Sequence, residues 1–237
     1  KFVHFGSIPE ILKLMNTGVN EYETLGWKKQ INSSISDPDT AGYNSVLSPE
    51  TSVGKGCYLE NSYVHSHVIL GDHVYLSCVD MEEGQIPSDT AVHALKLRNG
   101  RFVCRIWPVN ANPKEFWTKP LFGEYDTIRE AVAASLAFYK KGTADTACPN
   151  PVHSLESSFN AADPRAIIDW SRRMEELVRI ESVSKSVKAG VPAREASELL
   201  HADHLSKIQK EWLEKELHAL DTSRLSDFSY AIRLQYY

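Results

Sequence analysis

Aliphatic residues recur along residues 53–80, VGKGCYLENSYVHSHVILGDHVYLSCVD, in a rhythm that few folds accept. Val53, Leu59, Val64, Leu70 and Leu76 follow one another at steps of six, five, six and six. Two of them open an aliphatic-glycine pair, Val53-Gly54 and Leu70-Gly71, seventeen residues apart. A short strand with one aliphatic side chain turned inward, followed by a small or polar corner residue, builds a parallel β-helix when repeated. Three hexapeptides would close a triangular coil of roughly eighteen residues, so the seventeen-residue spacing reads as one coil less a residue. Coils bury their faces only against neighbours. The stretch holds about two, so a cap or packing partner is required. Alternating apolar residues would also suit a β-meander of three short strands. The six-residue spacing without Asn-Gly hairpin signals favours the β-helix.

The flanking segments carry other periods. Residues 7–17 read as a short helix, with Ser7 and Glu10 as a capping box and Pro9 in the first turn. Ile11, Leu12, Leu14 and Met15 supply its apolar stripe, and Gly18 is its expected stop. Residues 32–52, rich in Ser, Asp, Asn, Pro and Gly, read as a loop or irregular connection. Asn99-Gly100 predicts a two-residue hairpin turn between AVHALKL and FVCRIW. Val92, Leu95, Leu97, Phe102, Cys104 and Ile106 are its expected apolar side, able to close one end or side of the β-helix. From residue 126 the pattern is helical. Thr127-x-x-Glu130 is a second capping box, opening a helix expected to reach Gly142. Asp163-Pro164 opens a longer one in which Ile167, Trp170, Met174, Leu177 and Val178 share a face. Residues 143–162 are the expected linker, and further helices are expected near 193–201, 203–220 and from Ser223 or Ser226. The fold class is therefore α+β: a short parallel β-helix of the left-handed hexapeptide type with a hairpin, then an all-α half. The expected division is 1–126 and 127–237.

Composition narrows the function. With 237 residues, 42% hydrophobic and 24% charged, the chain can build a sizeable core. A net charge of −5 argues against a dedicated nucleic-acid surface. No run approaches the roughly 18 apolar residues of a membrane span, and no signal peptide opens the sequence. Cys57, Cys78, Cys104 and Cys148 fit no CxxC motif and read as reduced, buried thiols of a cytoplasmic protein. Lys1, at the head of the apolar run Phe2-Val3-His4-Phe5, reads as the middle of a strand in a larger protein.

Few residues invite chemistry. His65-x-His67 and His73 could bring imidazoles together on a strand. No Asp, Glu or Cys at suitable spacing completes a ligand set, so no metal is expected. A β-helix also admits hexapeptide acyltransferases with a histidine base, but two coils are too few for their cleft. There is no GxxxxGK[ST] loop, no GxGxxG after a strand and no Gly-x-Ser-x-Gly elbow. Glu175, Glu176, Glu211, Glu214 and Glu216 stand at helical spacing beside basic residues and read as a solvated face. No catalytic residue is expected.

Three segments together carry a family resemblance. The opening VHFGS before a capped helix, the stretch LENSYVHSHVILGDHVYLSCVD with its Glu60-Asn61-Ser62 triplet, and the FGEY element at Phe122–Tyr125 resemble fucose-1-phosphate guanylyltransferases. The likeness is closest to their bifunctional fucokinase/guanylyltransferase members. It covers residues 1–126, with 127–237 resembling only a helical connector. It implies an upstream nucleotidyltransferase domain that joins fucose 1-phosphate to GTP, and a downstream kinase that makes fucose 1-phosphate. Magnesium, GTP and ATP would serve those flanking domains, with no cofactor in this segment. The resemblance implies that this chain is a non-catalytic central segment, expected to support domain packing and oligomerisation and to be inactive alone. His4, Gly6 and Ser7 are the positions it offers for a sugar-nucleotide site. A free-standing hexapeptide-type acyltransferase or sugar-nucleotide transferase is the other reading.

Overall fold

The computed structural model describes residues 7–25, 27–139 and 147–189. The chain divides into two compact units, residues 1–171 and 172–237. His4, Gly6 and the helices expected beyond residue 190 lie outside the described residues.

The first unit opens with α1 (Ile8–Lys13), a π-helical turn over Leu14–Gly18 and a 3-10 helix over Val19–Leu25. Gly18 therefore does not stop the helix; the chain tightens and continues through it. The expected capping box is not formed. Ser7 stands at the N-cap, but its hydroxyl donates to the Glu10 carboxylate at 3.0 Å and caps no amide. Leu12 is buried, and with Ile8, Ile11 and Met15 it packs against the outside of the sheet that follows.

A parallel β-solenoid of about three turns comes next. Its strands are β1 (Gln30–Ile31), β2 (Ser34–Ile35), β3 (Ala41–Tyr43), β4 (Val46–Leu47), β5 (Ser52–Val53), β6 (Tyr58–Glu60), β7 (Tyr63–Leu70), β8 (Tyr75–Ser77) and β9 (Asp80–Ile86). Ala41 pairs with Tyr58 and Tyr58 with Tyr75, so these turns take seventeen residues, whereas the first, in which Gln30 pairs with Gly42, takes twelve. The spacing of Val53 and Leu70 is thus the coil length itself, because those two residues are register partners. Leu59, Val64, Leu70 and Leu76 all enter the interior cluster, and Val53 packs against it. Complete burial of such a side chain contributes about 1.5–3 kcal/mol. The glycines of the aliphatic-glycine pairs have a steric reason. A Cβ on Gly54 would lie 2.4 Å from the Gly71 carbonyl carbon, and one on Gly71 would lie 2.3 Å from the Ser88 nitrogen.

The segment expected to be irregular, 32–52, is solenoid. Its strands are too short to show alternation, and its regularity lies in the corner dipeptides Asn32-Ser33, Asn44-Ser45 and Asn61-Ser62. The three asparagines have φ of +44°, +50° and +46°, the left-handed region that asparagine tolerates better than most residues. Asn32 Nδ2 donates to Asn44 Oδ1 at 2.8 Å, and Asn44 Nδ2 donates to Asn61 Oδ1 at 2.7 Å. The serines form a parallel ladder. The amides of Ser45, Ser62 and Val79 donate to the hydroxyls of Ser33, Ser45 and Ser62, each at 3.1 Å. Cys78 takes the next asparagine position with φ of +55°.

The hairpin follows as β10 (Thr90–Lys96) and β11 (Phe102–Pro108), antiparallel, with β10 also parallel to β8. Its turn holds three residues, Arg98-Asn99-Gly100, because Leu97 N–H donates to the Arg101 carbonyl and Gly100 takes φ of +88°. Nor is there one apolar side. Val92, Cys104 and Ile106 face the solenoid interior with Phe102, whereas Leu95 and Leu97 face outward with Val103. Strand alternation forces this split.

α2 (Ile128–Phe138) ends before the expected Gly142, where Tyr139 turns to ψ of 125°. The Thr127 hydroxyl caps Glu130 N–H, while the Glu130 carboxylate reaches Asp126 N–H instead of Thr127. Ala131 and Val132 enter the interior cluster, so this helix completes the solenoid core. Residues 147–162, within the expected linker, are docked: Phe122 bridges His153 and Leu97 bridges Ala162. They carry α3 (Leu155–Ala161), which has a complete Ser154/Ser157 capping box. α4 (Pro164–Lys188) begins as expected, with Asp163 Oδ1 accepting from Arg165 N–H at 3.0 Å. Trp170 Nε1 donates to the Asn61 carbonyl at 2.7 Å, and Asn44 Nδ2 also donates to the Ser171 carbonyl at 2.7 Å. Ile167 is exposed, unlike the rest of its expected face. In the second unit, Met174, Leu177, Val178, Ile180 and Val183 are buried.

The ladder makes a paired prediction. Asn44→Ala should lower stability by about 2–4 kcal/mol, because it strands buried polar partners and forces alanine into the left-handed region. Cys78→Asn should raise the thermal midpoint by about 2–4 °C by extending the ladder. Thermal unfolding followed by circular dichroism measures both.

Candidate functional site

On sheet β1-β3-β6-β8-β10-β11, Leu59, Leu76, Val92 and Ile106 face inward, so their neighbours face outward. Register places Tyr43, Glu60, Ser77, His93 and Arg105 in one outward row, and Ala41, Tyr58, Tyr75, Ala91 and Trp107 in the next. Ser77 and Arg105 are buried, and Tyr43 is exposed. This is an unusual place for a carboxyl, an imidazole and a guanidinium to meet.

The row is bonded in two pairs. Ser77 Oγ donates to Glu60 Oε1 at 3.1 Å, and Arg105 Nη2 donates to His93 Nδ1. Burial pushes the Glu60 pKa up, opposed by hydrogen bonds from Ser77 and Tyr75. Burial, helped by the charge of Arg105, pushes His93 well down. Its imidazole is therefore neutral, accepting at Nδ1 with the proton on Nε2. Burial also lowers Arg105 to about 10, still charged at neutral pH. Burial raises the thiols of Cys57 to about 11 and of Cys78 and Cys104 to about 12, so these three are inert. Glu60 and Arg105 stand three strand spacings apart, about 14 Å, too far to exchange a proton directly. The row can hold charge and hydrogen bonds; it is not an acid–base pair.

The residues singled out by sequence lie elsewhere. Ser7 is engaged with Glu10. His65 and His67 do not converge, because a register shift between Val64 and His67 breaks the alternation. His65 Nε2 meets Asp80 Oδ1 at 2.9 Å and stacks on Tyr63, whereas His67 is exposed. Asp80, with its side chain fully buried, also receives Arg129 Nε and Nη2, each at 3.1 Å. That network fastens α2 to β7 and β9. His73 sits at a corner with φ of +54° beside Asp89, 3.1 Å away. Among the described residues no group of three His, Cys, Asp or Glu is arranged to hold a metal ion, and no helix is long and apolar enough to cross a membrane. Glu124 of the FGEY element accepts from His153 at 2.7 Å and from Asn99, which joins the hairpin turn to the α3 segment.

His93 and Arg105 drew no reading in the sequence, and Glu60 stood out only as the first residue of the family triplet. A signal was present in FVCRIW, where an arginine interrupts an apolar strand. Its alignment with His93 and Glu60 needs the register of three coils.

A family model described as the fucose pyrophosphorylase domain matches residues 1–144. The chain belongs to that fucose-1-phosphate guanylyltransferase family. No curated protein and no solved structure matches it. Within the fucose pyrophosphorylase match lie α1, the whole solenoid, the hairpin and α2. The Glu-Asn-Ser triplet of the family resemblance is one outward row residue followed by one rung of each corner ladder.

Glu60 gives a pH prediction. An acid with a raised folded pKa binds its proton more tightly when folded, so its stability cost is absent below the ordinary range of about 4.5 and grows as pH rises towards the folded value. Glu60→Gln keeps an acceptor for Ser77 and removes that cost. The variant should melt higher than the parent at pH 7.5, and the gap should close towards pH 4. Equal melting at both pH values would contradict the raised pKa of Glu60.

Proposed function

We propose that this chain is a non-catalytic central segment of a GDP-fucose-forming enzyme, supporting domain packing and oligomerisation. The observation that carries the reading is where the family match falls. Over its described residues it covers a solenoid whose corner asparagines and serines are engaged in stacking coil on coil. Asp80 and Glu124 are likewise engaged in fastening elements together. In this proposal a nucleotidyltransferase domain lies upstream and a fucokinase domain downstream, and GTP, ATP and magnesium belong to those domains. Solenoids suit such a role because they present flat sides and stackable ends. The protein would act in the cytoplasm, consistent with four buried free cysteines. His4, Gly6 and Ser7 remain the proposed contributors to a sugar-nucleotide site shared with the upstream domain.

The test is an incubation of the chain with GTP, magnesium and fucose 1-phosphate, with pyrophosphate release as the readout. The expected result is release no faster than in the protein-free control. Turnover that scales with protein concentration would overturn the scaffold assignment.

A further inference from the structure

Two buried donors on β11 lack acceptors among the described residues. Strand alternation puts Arg105 and Trp107 on the same outward face, with the guanidinium carbon 5.9 Å from the indole ring centre. Arg105 is 6% exposed and Trp107 8%. Neither Arg105 Nε nor Trp107 Nε1 has a hydrogen-bond partner among the described residues. Buried polar groups nearly always find partners, and each exception calls for a physical cause.

The charge around the pair sharpens the point. Arg105 Nη2 donates to the neutral His93, and Nη1 reaches the Leu155 carbonyl at 3.5 Å, the long limit of a hydrogen bond. No carboxylate among the described residues forms an ion pair with Arg105. Cys78 and Cys104 beside it are held neutral by burial, as is the phenol of Tyr75. Among the described residues the guanidinium is thus a buried cation without a counter-charge, a costly arrangement unless an anion completes it.

We propose that Arg105 and Trp107 form a binding site for an oxyanion of the phosphate class. The planar guanidinium and the indole offer separate N–H groups to separate oxygens, which suits an anion with several acceptors. Water would satisfy the two N–H groups but leave the charge unbalanced. Leu155, the first residue of α3, meets Arg105, and that weak contact is the one an entering anion replaces. The site is independent of the scaffold assignment, since phosphate binding here neither requires nor produces pyrophosphate release.

Thermal unfolding of the whole chain, titrated with sodium phosphate against sodium chloride at matched ionic strength and pH 7.5, tests it. The midpoint should rise with phosphate and not with chloride. Trp107→Phe keeps the ring and removes its N–H, and should weaken the apparent phosphate affinity about three- to tenfold. Arg105→Gln should abolish the response; if that variant does not fold, Trp107→Phe carries the test. Equal midpoints in phosphate and chloride would overturn the proposal and leave the donors to water. A phosphate effect undiminished in Trp107→Phe would mean an adventitious ion only. Sodium acetate matching phosphate would also overturn it, by assigning a carboxylate class.

Discussion

The corner at Asn32, Asn44 and Asn61 is the constraint on which the rest of the solenoid depends. A coil of short strands has little sheet per turn to hold it, so its corners must repeat the same backbone geometry. Here each corner enters the left-handed region on an asparagine, and the amides of Asn32 and Asn44 each bond the asparagine of the next coil. The serine beside it satisfies the following coil's amide, a backbone donor that would otherwise be buried unmet. Together they hold successive coils in register, and that register sets which side chains align. The inward aliphatic column and the outward polar row of Glu60, Ser77 and His93 are both products of that register.

Ending a solenoid demands a different solution. A parallel strand edge would stay unpaired, and exposed edges invite association. The chain turns antiparallel at the hairpin, lays β11 beside β10 and brings α2 against the remaining apolar interior. Arg129 from α2 reaches the buried Asp80, so the closing helix is fastened by charge as well as by Ala131 and Val132. The outer face of the same sheet is covered by α1 and by Leu121, Phe122 and Leu155. Trp107 belongs to that outer cluster, and Arg105 reaches the Leu155 carbonyl beside it.

The carboxyl of Glu60 and the guanidinium of Arg105 illustrate how one face can carry polar groups without catalytic geometry. Each is desolvated, yet they lie strands apart and each bonds a neutral neighbour. A perturbed pKa marks functional candidates, but structural networks perturb pKa values in the same way. Separation decides between the two for proton transfer. It says nothing against holding an anion at the Arg105 end.

Sequence by itself determined the solenoid and its inner column, because Val53, Leu59, Val64, Leu70 and Leu76 recur at a period that needs no knowledge of distant contacts. It also determined the helix starts at Thr127 and Asp163, where capping is local in the chain. The first coil was illegible, since strands of two or three residues show no alternation and their regularity is carried by Asn-Ser corners twelve and seventeen residues apart. Only the tertiary structure decided that Leu95 faces away from Val92, that a register shift parts His65 from His67, and that Glu60, Ser77, His93 and Arg105 share a row. Each of those facts is a matter of register between strands that are distant in sequence, and a shift of one residue would send every side chain to the opposite face.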